Sequence, residues 1–323
     1  MHLTILNKII PTEMKTYLDI NPEIQDALRN HQPIVALEST IISHGMPFPQ
    51  NMETALMLEH EVRKYGAIPA TIALINGVIK IGLTEGEIEF LAREGLKVHK
   101  TSRRDLAFVL SQKLTGATTV AATMIAAEMA GIRVFATGGI GGVHRDATET
   151  FDISADLLEL SQTPVAVVCA GVKSILDIGL TLEYLETMGV PVLGYQSDDM
   201  PAFYTSKSGF KVDFNMQTTE EIAHFIHIQN EMSLKNGILI TQAIPKAYDM
   251  DPFIIDVAIE KALTLQKELG IKGKNTTPFL LAKVKEFTGG ESLISNIALV
   301  QNNARLAAEI AVSLSKINLT SSN

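Results

Sequence analysis

Two stretches decide the fold: Ile132-Arg-Val-Phe-Ala-Thr-Gly-Gly-Ile-Gly-Gly-Val-His144 and Val165-Ala-Val-Val-Cys-Ala-Gly-Val-Lys-Ser174. Each opens as a short apolar run, the pattern of a strand buried on both faces, and each then breaks into a glycine-containing turn. Working outward, Ile34 to Leu37 is a third such run and leads into a polar loop from Glu38 to Asn51. Asn51 caps a helix whose apolar residues Met52, Ala55, Leu58 and Val62 follow helical spacing, and Gly66 ends it. Thr71–Ile75 and Val78–Ile81 flank Asn76-Gly77, the preferred pair for a two-residue hairpin turn. Thr84 and Glu87 form a capping box for a helix ending at Gly95. A short strand over Lys97–Lys100, a helix opened by Ser102 and Asp105, and an alanine-rich helix from Thr119 to Ala130 follow. Beyond Lys173 the pattern predicts a helix from Ser174 to Met188, strands at Val192–Tyr195 and Ile238–Thr241, and helices from Asp251 onward. Strands alternating with helices predict an α/β fold, with helices on both faces of a mixed central sheet. One domain over residues 18–315 is expected, between an extension (1–17) and a frayed tail (316–323).

Composition narrows the function. The 323 residues are 46% hydrophobic, enough for a large core, and the net charge is −9 with lysine and arginine scattered. That is not the basic footprint of a nucleic-acid binder, although a few placed cations suffice for a small anionic substrate. No apolar run reaches the ~18–20 residues of a membrane span, and no signal-peptide pattern opens the chain. A soluble, cytoplasmic protein is expected. The one cysteine, Cys169, lies inside an apolar run and reads as a small buried hydrophobe, so no disulfide framework exists within the chain.

Ligands of open α/β sheets bind at strand ends, so the chemistry is sought there. Gly139-Ile-Gly-Gly-Val-His144 places a histidine where a dinucleotide fingerprint needs its third glycine, and no Walker lysine is present. Asp152 and Asp156 are four apart; on a helix both carboxylates share a face, where they suit a hard divalent cation or sugar hydroxyls, or simply favour a helix start. His144 reads as a ligand, an acid–base group or an ordinary hydrogen-bonded histidine. Glu38, directly after a buried strand, is a placed acid or a solvated loop residue. Lys173 sits between an apolar strand and an expected helix start, whose amides disfavour positive charge; it reads as a nucleophilic amine or as an exposed lysine.

Longer motifs carry a resemblance. Ala36-Leu-Glu-Ser-Thr-Ile-Ile-Ser-His-Gly-Met-Pro-Phe-Pro-Gln-Asn51, Thr71-Ile-Ala-Leu-Ile-Asn-Gly77, Lys100-Thr-Ser-Arg-Arg-Asp105, Phe135-Ala-Thr-Gly-Gly-Ile-Gly-Gly-Val-His-Arg145, Phe151-Asp-Ile-Ser-Ala-Asp156 and Val168-Cys-Ala-Gly-Val-Lys-Ser174 resemble the pseudouridine-5'-phosphate glycosidase family, which includes indigoidine synthase A-type proteins. The similarity runs from about Leu18 to about Ser315. It implies a three-layer α/β/α sandwich, a homotrimer, and reversible cleavage of pseudouridine 5'-phosphate to uracil and ribose 5-phosphate. It also implies manganese or a similar divalent ion. On this resemblance Lys173 is the covalent catalyst and Glu38 the proton donor. Asp152 falls at the metal position, and Lys100, Val120, Ser154, Ala155 and Asp156 at substrate contacts. His144 and Asn296 fall at further active-site positions. A C-nucleoside has no C–N bond to hydrolyse, and a lysine imine with the ring-opened sugar splits one hard step into easier ones. The alternatives are a different lysine-dependent sugar-phosphate lyase and a non-catalytic sugar-phosphate-binding protein.

Overall fold

A computed structural model describes residues 17–321. Most of the expected extension, residues 1–16, lies outside them, as do residues 322 and 323. Eleven strands form one sheet: β1 (Leu18–Ile20), β2 (Ile34–Leu37), β3 (Ile68–Ile75), β4 (Val78–Ile81), β5 (His99–Thr101), β6 (Gly116–Thr118), β7 (Val134–Ala136), β8 (Ala166–Cys169), β9 (Val192–Tyr195), β10 (Phe214–Met216) and β11 (Ile238–Thr241). The helices are α1 (Pro22–Arg29), α2 (Gln50–Lys64), α3 (Glu85–Glu94), α4 (Leu106–Ser111), α5 (Val120–Ala130), α6 (Ala147–Thr150), α7 (Ala155–Leu160), α8 (Ile178–Thr187), α9 (Thr219–Glu231), α10 (Pro252–Glu268), α11 (Thr276–Phe287) and α12 (Glu291–Ser321).

The order across the sheet is β1-β4-β3-β2-β7-β8-β11-β9-β10, with β6 on β3 and β5 on β6. From β3 through β10 along this order the pairings are parallel. The central runs β2, β8 and β11 are wholly buried, as continuous apolar stretches between two helical layers should be. β3 bridges two regimes. Its first half, from Ile68 to Thr71, runs parallel to β2, while Ile72 to Ile75 pairs antiparallel with β4. The turn between them needs left-handed backbone at both central residues, and Asn76 (φ 51°) and Gly77 (φ 75°) supply it. A Cβ on Gly77 would meet the Lys113 backbone at 2.7 Å, so only glycine fits.

The helices cover both faces, giving an α/β/α sandwich. α12 packs on β2, β7 and β8 with α2 and α9 beside it, and α5 packs on β2, β3 and β4 with α7 against it. α12 continues through Ser321, with no glycine or proline to interrupt it. Among the described residues no helix is long and apolar enough to cross a membrane.

The chain passes from β2 to β3 on one side and returns to β7 on the other side of β2. The order therefore reverses between β2 and β7. In open α/β sheets the crevice at that reversal is where ligands bind.

Candidate active site

A cleft of ≈ 380 Å³ lies at this reversal, and Glu38, Thr137 and Lys173, from the ends of β2, β7 and β8, line it. The Glu38 carboxylate accepts hydrogen bonds from the hydroxyls of Thr40 and Thr137, one on each oxygen. Thr137 is held in turn by its own N–H on the Val168 carbonyl, 3.0 Å away. From α12, the buried Asn303 side chain donates to the carbonyls of Thr137 (2.9 Å) and Gly138 (3.2 Å). The acid is thus fixed at a strand end by two hydroxyls, and the strand end by an asparagine from the far helical layer.

Lys173 does not stand at a helix start, contrary to the sequence expectation. α8 begins at Ile178, with Asp177 as its N-cap accepting from Leu180 N–H at 2.9 Å. Residues between β8 and α8 pair instead with the glycine turn: Lys173 N–H donates to Ile140 O (3.1 Å), and Asp177 N–H to Val143 O (2.9 Å). The helix-terminus argument for the amine therefore falls away, and the lysine is placed by this backbone pairing. Its strand neighbour Cys169 is fully buried, and that burial pushes the thiol up to about 12, which excludes it as a neutral-pH nucleophile.

Asp152 and Asp156 do not share a helical face either. Asp152 precedes Ile153, which bridges Val143 in extended backbone, and α7 starts only at Ala155. The two acids have different surroundings within one cleft. The Asp156 oxygens accept from backbone N–H groups of Ala121 (3.1 Å) and Gly141 (2.9 Å), tying the first turn of α5 to the glycine turn. Gly141 approaches so closely that a Cβ there would lie 2.1 Å from Ser154 Oγ. Asp152 is 39% exposed and 3.8 Å from His144 Nε2. Among the described residues no group of three or more His, Cys, Asp or Glu side chains could hold a metal ion. A cation here would draw on the Asp152 carboxylate and on oxygens from water or substrate, which suits a hard divalent ion.

Lys100 ends up in the same cleft with Ser102, Arg104, Thr119, which caps α5, and Val120, its first residue, a cationic end beside a helix N-terminus. Ser154, Ala155 and Asn296 line the cleft as well, so every site residue expected from the sequence is brought together. Thr40, Thr137 and Asn303 carry no sequence signal of their own, since hydroxyls and amides that position a carboxylate look like any others. His44, on a π-helical turn over Ile41–Gly45, also lines the cleft. Such turns are frequent at functional sites; the sequence pattern reads only as loop.

The chain matches the family described as indigoidine synthase A like protein over residues 23–313. It belongs to that family. Beside this indigoidine synthase A-like chain, the pseudouridine-5'-phosphate glycosidase of Hahella chejuensis is 61% identical over 300 residues, 93% of this chain and 99% of its own length. The pseudouridine-5'-phosphate glycosidase of Clostridium botulinum is 59% identical over 305 residues, covering 94% and 99%. Among solved structures, the prealnumycin C-glycosynthase AlnA in complex with ribulose 5-phosphate superposes with a TM-score of 0.86 at 38% identity, over 94% of this chain and 98% of AlnA.

Proposed function

We propose that this chain is a pseudouridine-5'-phosphate glycosidase, which reversibly converts pseudouridine 5'-phosphate and water to uracil and ribose 5-phosphate. The observation that carries this reading is one cleft, at the sheet's reversal, that gathers an acid, a lysine and a cationic end from distant parts of the chain. The names of its two near relatives, and the sugar phosphate bound by AlnA, point to the same substrate class. The Lys173 amine adds to C1' as the ring C1'–O4' bond opens. When the bond to uracil then breaks, its electrons leave with the uracil ring, which is protonated at carbon, the lysine nitrogen closes the imine to C1', and water releases ribose 5-phosphate and the free amine. Glu38 moves the proton that ring opening and carbon protonation require. Lys100 takes the 5'-phosphate, a charge-assisted contact of the stronger kind. His144, Asn296 and the Ser154–Asp156 segment surround the sugar and base. Asp152 would hold a manganese-like ion, and such an ion would supply Lewis-acid polarisation of oxygen there. A cytoplasmic setting is part of this reading, supported by the single, buried thiol.

Incubation with pseudouridine 5'-phosphate and manganese should release uracil and ribose 5-phosphate in equal amounts. Exhaustive chelation should abolish the release and manganese should restore it. Absence of uracil with metal present would refute the function. Full activity after chelation, with no metal found by elemental analysis, would refute the role of Asp152 alone.

The homotrimer belongs to the same proposal. Phe253 is 76% exposed and Ile294 59% exposed, and Ile294 shares a surface groove with Tyr248. Burial of these side chains against further copies would remove apolar surface from water. Light scattering should give three times the chain mass; a monomer mass at working concentration would end this part of the reading.

A further inference from the structure

Arg103 is not among the residues that line the cleft, yet Ser102, Arg104 and Asp105 around it all are. Its guanidinium forks onto Glu159, with Nη2 to Oε1 at 2.7 Å and Nε to Oε2 at 2.5 Å. Glu159 is completely buried, and the Thr163 hydroxyl donates to the same carboxylate. Glu159 sits on α7 one turn beyond Ala155 and Asp156, and Asp156 grips the first turn of α5 and the glycine turn. A polar path therefore runs from the segment after β5, through Arg103, Glu159, α7 and Asp156, to the two backbone turns that shape the cleft.

A buried carboxylate is costly unless paired, and a well-packed apolar pair often serves stability as well or better. What the ion pair supplies that an apolar pair does not is fixed geometry, because a bidentate guanidinium sets both distance and angle. We propose that Arg103 and Glu159 are positioning residues that hold the Lys100–Asp105 segment against α7, so that the phosphate end of the cleft stays in register with the Glu38–Lys173 centre. This rests on the reading that the Lys100 end takes the phosphate.

The test removes the pair while keeping its volume. Arg103→Met with Glu159→Met should still fold, with a modest fall in melting temperature because the buried Thr163 hydroxyl loses its acceptor. In the synthetic direction, KM for ribose 5-phosphate should rise about ten- to hundredfold, while KM for uracil and kcat stay within about threefold. An unchanged KM for ribose 5-phosphate in the folded double variant overturns the proposal. A uniform loss in all three constants overturns it too, since that marks a merely structural pair. If the double variant does not fold, Arg103→Lys keeps the charge and loses the fork; it should give a smaller rise confined to ribose 5-phosphate, and no rise overturns the proposal. Lys100→Ala separates the two readings. It should impair pseudouridine 5'-phosphate far more than unphosphorylated pseudouridine. Equal losses on both substrates mean that the phosphate reading has failed. A selective loss there, with no effect of the double variant, means that only the positioning role has failed.

Discussion

Glu38→Gln should lower turnover by about two to four powers of ten, the usual weight of a positioned acid–base group, with substrate binding nearly intact. The expectation follows from how the carboxylate is held. Both oxygens accept hydroxyl hydrogen bonds, from Thr40 and Thr137. Glutamine keeps the shape and one acceptor, so the cleft wall should stand, but it cannot pass a proton. The loss should therefore fall on kcat. Thr137→Val is the companion variant: it leaves the acid in place but removes one of the hydroxyls that orient it, and a smaller kcat loss in the same direction is expected. A near-normal turnover number for Glu38→Gln would take Glu38 out of the mechanism.

Why some of this was legible in the sequence, and some not, has physical reasons. β2, β8 and β11 stand out because strands buried on both faces must be continuously apolar, and Asn76-Gly77 marks its hairpin because few other residues tolerate that turn. β1, β6 and β10 are invisible because three residues carry no period and no longer apolar run surrounds them, as one surrounds β7; they exist by pairing with their neighbours. The expected helix start at Ser174 moved to Ile178 because the intervening backbone finds partners in the glycine turn, and Asp177, not Ser174, caps it. Glu38 and Lys173, the proposed reactive groups, could be suspected from their places after apolar strands. Their supports could not: Thr137 lies 99 residues from Glu38 in sequence, and the link between them is made only when β2 and β7 pair. Motif resemblance named positions that line the cleft. It did not distinguish Asp152, half open to the cleft, from Asp156, whose oxygens already hold two backbone amides.

Lys173→Ala and Lys173→Arg should be equally inactive, and that equality is the informative part. Arginine keeps a positive charge in the cleft but offers no amine that can form an imine. If Lys173 served only to hold an anion, arginine would retain much of the activity. The residue is set by its own backbone bond to Ile140, on the turn that follows the Glu38-binding Thr137, and Lys173 and Glu38 open on one cleft, which is where the proposed chemistry needs both. An amine attacks a carbonyl carbon only from its unprotonated form, and the imine that results exists only while water has not yet released it. Borohydride should trap it. Reduction in the presence of ribose 5-phosphate should add one sugar phosphate to the chain, and peptide mass analysis should place the adduct on the peptide containing Lys173. Lys173→Ala should show none. Both substitutions should leave the fold intact, because the lysine's backbone N–H, not its side chain, makes the bond that ties this segment to the glycine turn. An adduct on another lysine, or none under turnover conditions, would show that cleavage here does not proceed through Lys173, and the role of the cleft's acid would have to be rebuilt around a different first step.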